Sequence, residues 1–215
     1  DIFGAKLVFD PELIADRLEA KSYLHRGLEI VFDDKTGKAG PKTYLHANGI
    51  ADYLPKVVAE RKKAAVPPGT NVFYFEKRTD EVGVEVALQW TESPEELVKS
   101  YVNSVPTPMG GTHDQGLKSA IVKALRNYIA THNLDPKGVT ITADDIREGI
   151  VAILSTYVQE PQFQGQTKDR LNNPDTTAQI DALVRPALAN FLNQNPNWAN
   201  AVVGRVIISA RAREA

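Results

Sequence analysis

The chain has 215 residues, 42% hydrophobic and 24% charged, with a formal net charge of -2, the composition of a globular chain forming one large domain or two small ones. It contains no cysteine, which excludes disulfides, thiolate metal sites and cysteine nucleophiles. The slight acidity argues against a free-standing basic nucleic-acid binder, and no apolar run reaches the ~18 residues of a membrane-spanning helix.

Asp10 followed by Pro11 is an N-cap and first-turn pair, and it predicts a helix over Glu12 to His25 that Gly27 ends. Leu28 to Phe32 reads as a short strand, and Asp33 to Pro41 as a hairpin loop. Ile50, Tyr53, Leu54, Val57 and Val58 give a second helical face, which runs into Glu60-Arg61-Lys62-Lys63 and is broken by Pro67-Pro68-Gly69. Arg61, Lys62 and Lys63 are read as a solvated helix end. Asn71 to Lys77 and Val82 to Trp90 predict neighbouring strands joined near Thr79-Asp80-Glu81, with Val82, Val84, Val86, Leu88 and Trp90 on one face.

Ser93-Pro94-Glu95-Glu96 signals a helix start, but Val98 to Val105 equally suits a strand. Thr112 to His132 is the longest helical pattern, with Thr112 as N-cap and Leu117, Ala120, Ile121, Ala124, Leu125, Tyr128 and Ile129 at core spacing. Thr142-Ala143-Asp144-Asp145 caps a short turn that Gly149 closes, and Gly149 to Val158 is a buried strand. Asn173-Pro174 and Asn195-Pro196 are expected to cap two further helices, the second running to the chain end. The pattern is a mixed α/β single domain. The start at Asp1-Ile2-Phe3-Gly4 and the close in Ala210-Arg211-Ala212-Arg213-Glu214-Ala215 read as cuts through a longer polypeptide.

Between the strand over Ile150 to Leu154 and the helix after Pro174 lies a polar loop, Glu160-Pro161-Gln162-Phe163-Gln164-Gly165-Gln166-Thr167-Lys168. A lysine in such a loop is ordinarily just solvated. It can also bring one compact charge with three donors to a phosphate. Gly110-Gly111-Thr112-His113 before a long helix could cradle an anion, yet lacks the lysine and glycine spacing of a P-loop. The four histidines, His25, His46, His113 and His132, show no metal-ligand spacing. Asp144, Asp145 and Glu148 suit a cap better than a metal, and Arg205, Arg211 and Arg213 read as charges on an exposed helix face. Composition and spacing thus give no complete catalytic set, and point to a part that assists another domain.

The blocks VALQW (86–90), YVNSV (101–105), GGTH (110–113), DIREGIVAILS (145–155), EPQFQGQTKDRL (160–171) and VVGRVIISARAREA (202–215) occur in this order. Together they resemble the transducer domain of the ATPase-bearing subunit of bacterial type IIA DNA topoisomerases, gyrase and topoisomerase IV. YLHRGLEIVFDD (23–34) resembles the early part of the same domain. The closing block leans towards the gyrase branch.

The resemblance implies an α/β (α+β) ribosomal-protein-like transducer fold: a mixed β-sheet with helices on one side, a left-handed βαβ crossover and a long C-terminal helix. That favours the strand for Val98 to Val105. It implies a transducer domain over 1–195 and a helix over 196–215 leading towards a cleavage domain, with a GHKL ATPase domain preceding residue 1. Lys168 would contact the γ-phosphate of ATP held by that domain, and Gln166 would help place it. The lysine would sense nucleotide state and couple ATP binding and hydrolysis to dimer closure and DNA strand passage. ATP and Mg2+ are then the cofactors of the full subunit, and neither is expected to bind tightly to this chain alone.

The implied partners are the ATPase and cleavage domains of the same chain, a second copy of the subunit, a DNA-cleaving gyrase A-like protein and double-stranded DNA. The implied location is the bacterial cytoplasm, with no membrane. Relatives often carry a charged residue just before the Gly-Gly, where Pro108-Met109 stands here. Lys118, Lys123 and Arg126 on the following helix are substitutes by type for the DNA contact. The competing reading is an interaction module that only shares the fold, or the transducer of another GHKL ATPase; the lysine loop discriminates, because a bare binding module has no need of it.

Overall fold

The computed structural model describes residues 8–38 and 40–215; the reading of the chain's first residues lies outside them. The chain divides into two compact units, residues 1–53 and 54–215, where the sequence pattern suggested one.

In the first unit, helix α1 (Pro11–Leu24) starts as the sequence predicts. The Asp10 side chain accepts from the backbone N–H of Glu12 and Leu13 at 3.0 and 3.1 Å, a cap that contributes about 1 kcal/mol. Gly27 follows the helix at φ +78°. Strands β1 (Ile30–Phe32) and β2 (Lys42–Tyr44) form an antiparallel hairpin. The ring of Tyr23 stacks between His46 at 3.5 Å and Tyr53 at 4.5 Å. The boundary between the units falls within helix α2 (Ile50–Glu60).

The second unit is built on one mixed sheet. It contains β3 (Ala65–Val66), β4 (Phe73–Arg78), β5 (Val82–Thr91), β6 (Leu97–Val102), β7 (Val105–Pro106) and β8 (Ile150–Val158). The order is β3-β5-β8-β6-β7, with β4 paired to β5 beside β3. All pairs are antiparallel except β6 with β8. Parallel neighbours require a crossover, and it is supplied by helices α3 (Thr112–Thr131) and α4 (Ala143–Arg147). Helices α5 (Thr176–Gln194) and α6 (Pro196–Glu214) complete the chain.

Val82, Val84, Val86, Leu88 and Trp90 lie in one core with Ile150, Ala152 and Leu154 of β8 and the inner faces of α3, α5 and α6. That is the predicted face. The opposite face of β5 is buried as well, which strict alternation does not suggest. Its polar side chains find partners: Glu85 accepts from the Tyr74 hydroxyl at 2.8 Å, and the Gln89 amide donates to the Val66 and Pro67 carbonyls. Phe191, Trp198 and Trp90 pack edge to face at 4.9 and 5.8 Å. The indole of Trp90 donates to the Ile146 carbonyl and that of Trp198 to the Asn71 carbonyl.

One local reading left open is decided for the favoured strand, and two are corrected. The helix signal at Ser93-Pro94-Glu95-Glu96 yields no helix; β6 begins at Leu97, because pairing with β8 outweighs a local cap. Thr112 is the first residue of α3, capped by the Gly111 backbone without a side-chain bond. Asn173 does not cap α5, which starts at Thr176; its side chain acts in the loop before it. Lys62, Lys63 and Arg211 are exposed as the sequence suggests, but their neighbours are more engaged. Arg61 donates to Ser93 Oγ at 2.8 Å and pairs with Glu95. Arg205 donates to the Thr91 and Ser93 carbonyls and to Glu148, and Arg213 pairs with buried Asp145.

Candidate functional site

The lysine loop leaves β8 at Val158, whose backbone is held on both sides by the Asn103 side chain at 2.8 and 3.0 Å. The loop then forms a closed finger. Its base is tied by Asn172 N–H to Gln162 O at 2.7 Å and by Gln164 N–H to Arg170 O at 2.9 Å. Asn173 adds two bonds across the base: its Oδ1 accepts from Gln162 N–H at 2.7 Å, and its Nδ2 donates to Glu160 O at 2.9 Å. The tip turns back through Gly165 at φ +76° and Lys168 at φ +59°. Lys168 therefore sits in the left-handed region, which a side chain enters at a cost of about 1–3 kcal/mol and which recurs at functional positions.

Gln166, Thr167 and Lys168 are exposed. Gln166 and Lys168 make no hydrogen bond or ion pair with any described residue. The finger thus presents one amide and one ammonium outward from a base fixed by backbone pairing. Such a tip can offer charge-assisted hydrogen bonds to an anion brought to it, each contributing about 1.5–3 kcal/mol.

The returning arm of the finger lies beside the Gly-Gly turn, a neighbour that no sequence spacing revealed. Met109 N–H donates to Asp169 O at 3.0 Å, Leu171 N–H to Gly110 O at 3.1 Å, and Thr112 N–H to Leu171 O at 3.1 Å. Gly111 and Leu171 form a parallel bridge, and Phe163 and Leu171 an antiparallel one. At φ +131° a Cβ on Gly111 would stand 2.3 Å from Leu171 O and 2.5 Å from Leu171 N. The glycine is therefore a contact requirement: the N–H groups of Met109 and Thr112 are spent on the finger and that of Gly110 on Thr107 O, so these donors are not open to an anion.

Below the turn lies a buried polar chain. Ser100 Oγ donates to Thr107 O at 3.0 Å, and stands 2.8 Å from Thr107 Oγ1, which stands 2.9 Å from His113 Nε2. One proton per hydroxyl fixes the sense. Ser100 spends its proton on the carbonyl, so Thr107 donates to Ser100, and His113 donates from Nε2. Its Nδ1 is left a bare, buried acceptor. Burial pushes the His113 imidazole down to about 4, against the opposing pull of Asp114.

The three basic side chains offered above as candidates for a DNA contact differ in availability. Lys118 is bonded to Asp114 at 3.0 Å and Glu96 at 3.2 Å. Partial burial lowers its ammonium, but Asp114 and then Glu96 outweigh that and the net shift is upward. With Met109 and Gly110 it lines a groove of about 280 Å3. Lys123 pairs with Asp181 at 2.8 Å. Arg126 is exposed and has no ion pair with a described residue. Asp145 closes a capping box with Thr142 and meets Arg213. Burial works to raise its carboxyl, and the Arg213 and Thr142 hydrogen bonds outweigh that and hold it below the usual carboxylate value. Among the described residues no group of three or more His, Asp or Glu is placed to hold a metal ion, and no helix is long and apolar enough to cross a membrane.

Residues 49–215 match the family model described as DNA gyrase B. The DNA gyrase B protein of Chlamydia muridarum is 36% identical over 97% of this chain and 26% of its own length. The 43K ATPase domain of Thermus thermophilus gyrase B, in complex with an aminocoumarin, superposes with a TM-score of 0.86 at 33% identity, over 98% of this chain and 56% of that one. The topoisomerase IV ATP-binding domain of Francisella tularensis gives a TM-score of 0.82 at 29% identity, over 100% of this chain and 57% of that one. The chain spans between a quarter and a half of the curated relatives it matches, 26% of one and 48% of another.

Proposed function

The chain belongs to the DNA gyrase B family, and from that premise we propose that it is the coupling part of an ATP-dependent type IIA DNA topoisomerase. Residues 1–195 act as the transducer domain, and 196–215 form the helix that leads on towards the cleavage domain. α6 is then both a wall of the core and the way out. Lys168 reaches the γ-phosphate of an ATP held by a GHKL domain of the same polypeptide, and Gln166 helps orient it. Mg2+ and the base that activates water belong to that domain. The partners are a second copy of the subunit, the DNA-cleaving subunit and double-stranded DNA, which Lys118, Lys123 and Arg126 approach through its phosphates; the compartment is the cytoplasm.

The observation that carries this reading is the finger: a closed, backbone-paired base with a strained tip that offers Lys168 and Gln166 unpaired. A solvated loop has no use for such a scaffold. A bound γ-phosphate would turn the exposed ammonium into a charge-assisted contact that disappears when the phosphate leaves. A difference of about 2–3 kcal/mol between nucleotide states shifts two domain orientations roughly 30- to 150-fold. The same contact stabilises charge developing on the transferring group.

The test is Lys168→Ala in the full subunit, assayed for ATP turnover and ATP-dependent dimer closure. Both fall sharply while the melting temperature stays within about 1 °C, because an exposed side chain contributes little to stability. Unchanged turnover refutes the assignment.

A further inference from the structure

We propose that Gly111 is a positioning residue for Lys168: by lying backbone to backbone against Leu171 it fixes the finger that delivers the lysine. The inference rests on the γ-phosphate reading above and extends it to a residue that touches no nucleotide.

The finger has two attachments. Its own base is tied through Gln162, Gln164, Arg170, Asn172 and Asn173. That pairing sets the finger's shape but not its direction. The second attachment sets direction: three backbone bonds join residues 169–171 to residues 109–112, with the Gly111–Leu171 bridge among them. Leu171 is fully buried between these two pairings and stands three residues from Lys168. A displacement of the arm at Leu171 is carried to the tip with little loss over so short a path.

The other side of this junction is rigid. Gly111 leads directly into α3, and Gln115 N–H bonds back to its carbonyl. α3 is pressed on α5 so closely that a Cβ on Gly116 would meet Thr177 O at 2.7 Å. Thr177 Oγ1 donates to Thr112 O at 2.9 Å. Thr107, at the start of the turn, is held through Ser100 and His113. The turn therefore cannot yield to a side chain at 111, and the finger must. A methyl group there has to move Leu171 by about 1 Å to reach ordinary contact, and a catalytic group misplaced by that much loses about a hundredfold in rate.

The experiment uses the full subunit with its DNA-cleaving partner and DNA, below the melting temperature of every variant. Four variants are compared: Gly111→Ala, Lys168→Ala, their combination, and Gly149→Ala. Gly149 is the strain control: it has φ +82° and its Cβ would stand 2.3 Å from Thr91 O, against a different part of the sheet. Gly111→Ala is expected to lower turnover at least about tenfold, Gly149→Ala no more than about twofold, and the combination no further than Lys168→Ala alone, since groups that act as one unit are not additive. Affinity for ADP, which lacks the γ-phosphate that Lys168 would contact, stays unchanged in Gly111→Ala.

Losses that multiply in the combined variant, or a Gly111→Ala effect no larger than that of Gly149→Ala, overturn the inference and leave the lysine reading standing. Normal turnover in Lys168→Ala overturns both. If Gly111→Ala does not fold, amide hydrogen exchange of the unmodified subunit decides. With a non-hydrolysable ATP analogue bound, the Leu171 and Thr112 amides must gain protection together with that of Gln164; protection at Gln164 alone overturns the inference.

Discussion

Asn173 Nδ2 donates to Glu160 O at 2.9 Å while its Oδ1 accepts from Gln162 N–H at 2.7 Å, so one side chain spans the neck of the lysine finger. Asn173→Ala removes both bonds and leaves two backbone groups to water. The neck is exposed, so the loss of stability is about 1 kcal/mol. The functional loss is larger, because Lys168 is then delivered from a frayed base. ATP turnover of the full subunit should fall several-fold, with Asn173→Asp, which keeps the acceptor for Gln162, intermediate. Equal turnover in the wild-type and alanine forms would show that the neck does not matter.

The finger was legible in the sequence as a polar loop between a strand and a helix, and Lys168 as its tip. What joins the finger to the rest was not. Asn173-Pro174 reads as a helix cap because Asn before Pro usually is one, yet α5 begins at Thr176 and the side chain serves the loop. The meeting of Gly111 with Leu171 links residues 60 apart in sequence, and periodicity carries no information about such pairs. The core faces of β5 and α3 were readable because each has an apolar period, β8 because it is a continuous apolar run, and α5 and α6 as helices. The strand at Leu97–Val102 was not, since its cap signal and its β-branched run contradict each other until β8 decides between them. The polar chain of Ser100, Thr107 and His113 gave no signal at all, as each residue alone is ordinary.

Gly116 sets two effects against each other. Glycine to alanine inside a helix ordinarily stabilises by about 1 kcal/mol. Here the added methyl would meet Thr177 O at 2.7 Å and Ile180 Cβ at 2.8 Å, and overpacking costs about 1–3 kcal/mol. Neither neighbour is the free end of a flexible chain, so the clash wins. Gly116→Ala should lower the thermal midpoint of the second unit by a few degrees. A rise in the midpoint would mean that α3 and α5 can separate without penalty.

The DNA assignment separates by pairing. Arg126 has no described carboxylate partner, so removing it subtracts only the proposed phosphate contact. Arg126→Ala in the full subunit should lower the slope of log affinity against log salt by about one for duplexes of any sequence. Lys118→Ala acts twice, because it also leaves Asp114 and Glu96 without their shared cation. It should weaken DNA binding and lower the thermal midpoint together. Salt slopes unchanged in both variants would remove Lys118 and Arg126 from the DNA interface.

His113 makes stability depend on pH in a window of its own. Its folded value is about 4 against about 6.5 unfolded, so between these the unfolded chain binds a proton that the folded chain refuses. Stability is therefore full above about pH 6.5 and declines as pH falls towards 4, by about 3 kcal/mol in all. Below 4 the group adds no further loss. Asp145 follows the carboxylate sign: held below its ordinary value, it contributes stability above that value and loses it as pH falls further, at and beyond the acid end of the His113 window. Both tryptophans of the chain, Trp90 and Trp198, lie in the core that contains His113's helix, so their fluorescence reports unfolding of this unit. Urea titrations at pH 4.5, 5.5 and 7 should show the decline in the wild type. In His113→Gln, whose amide can donate to Thr107 without titrating, the decline should vanish. A decline of the same size in both proteins would place the titrating group elsewhere.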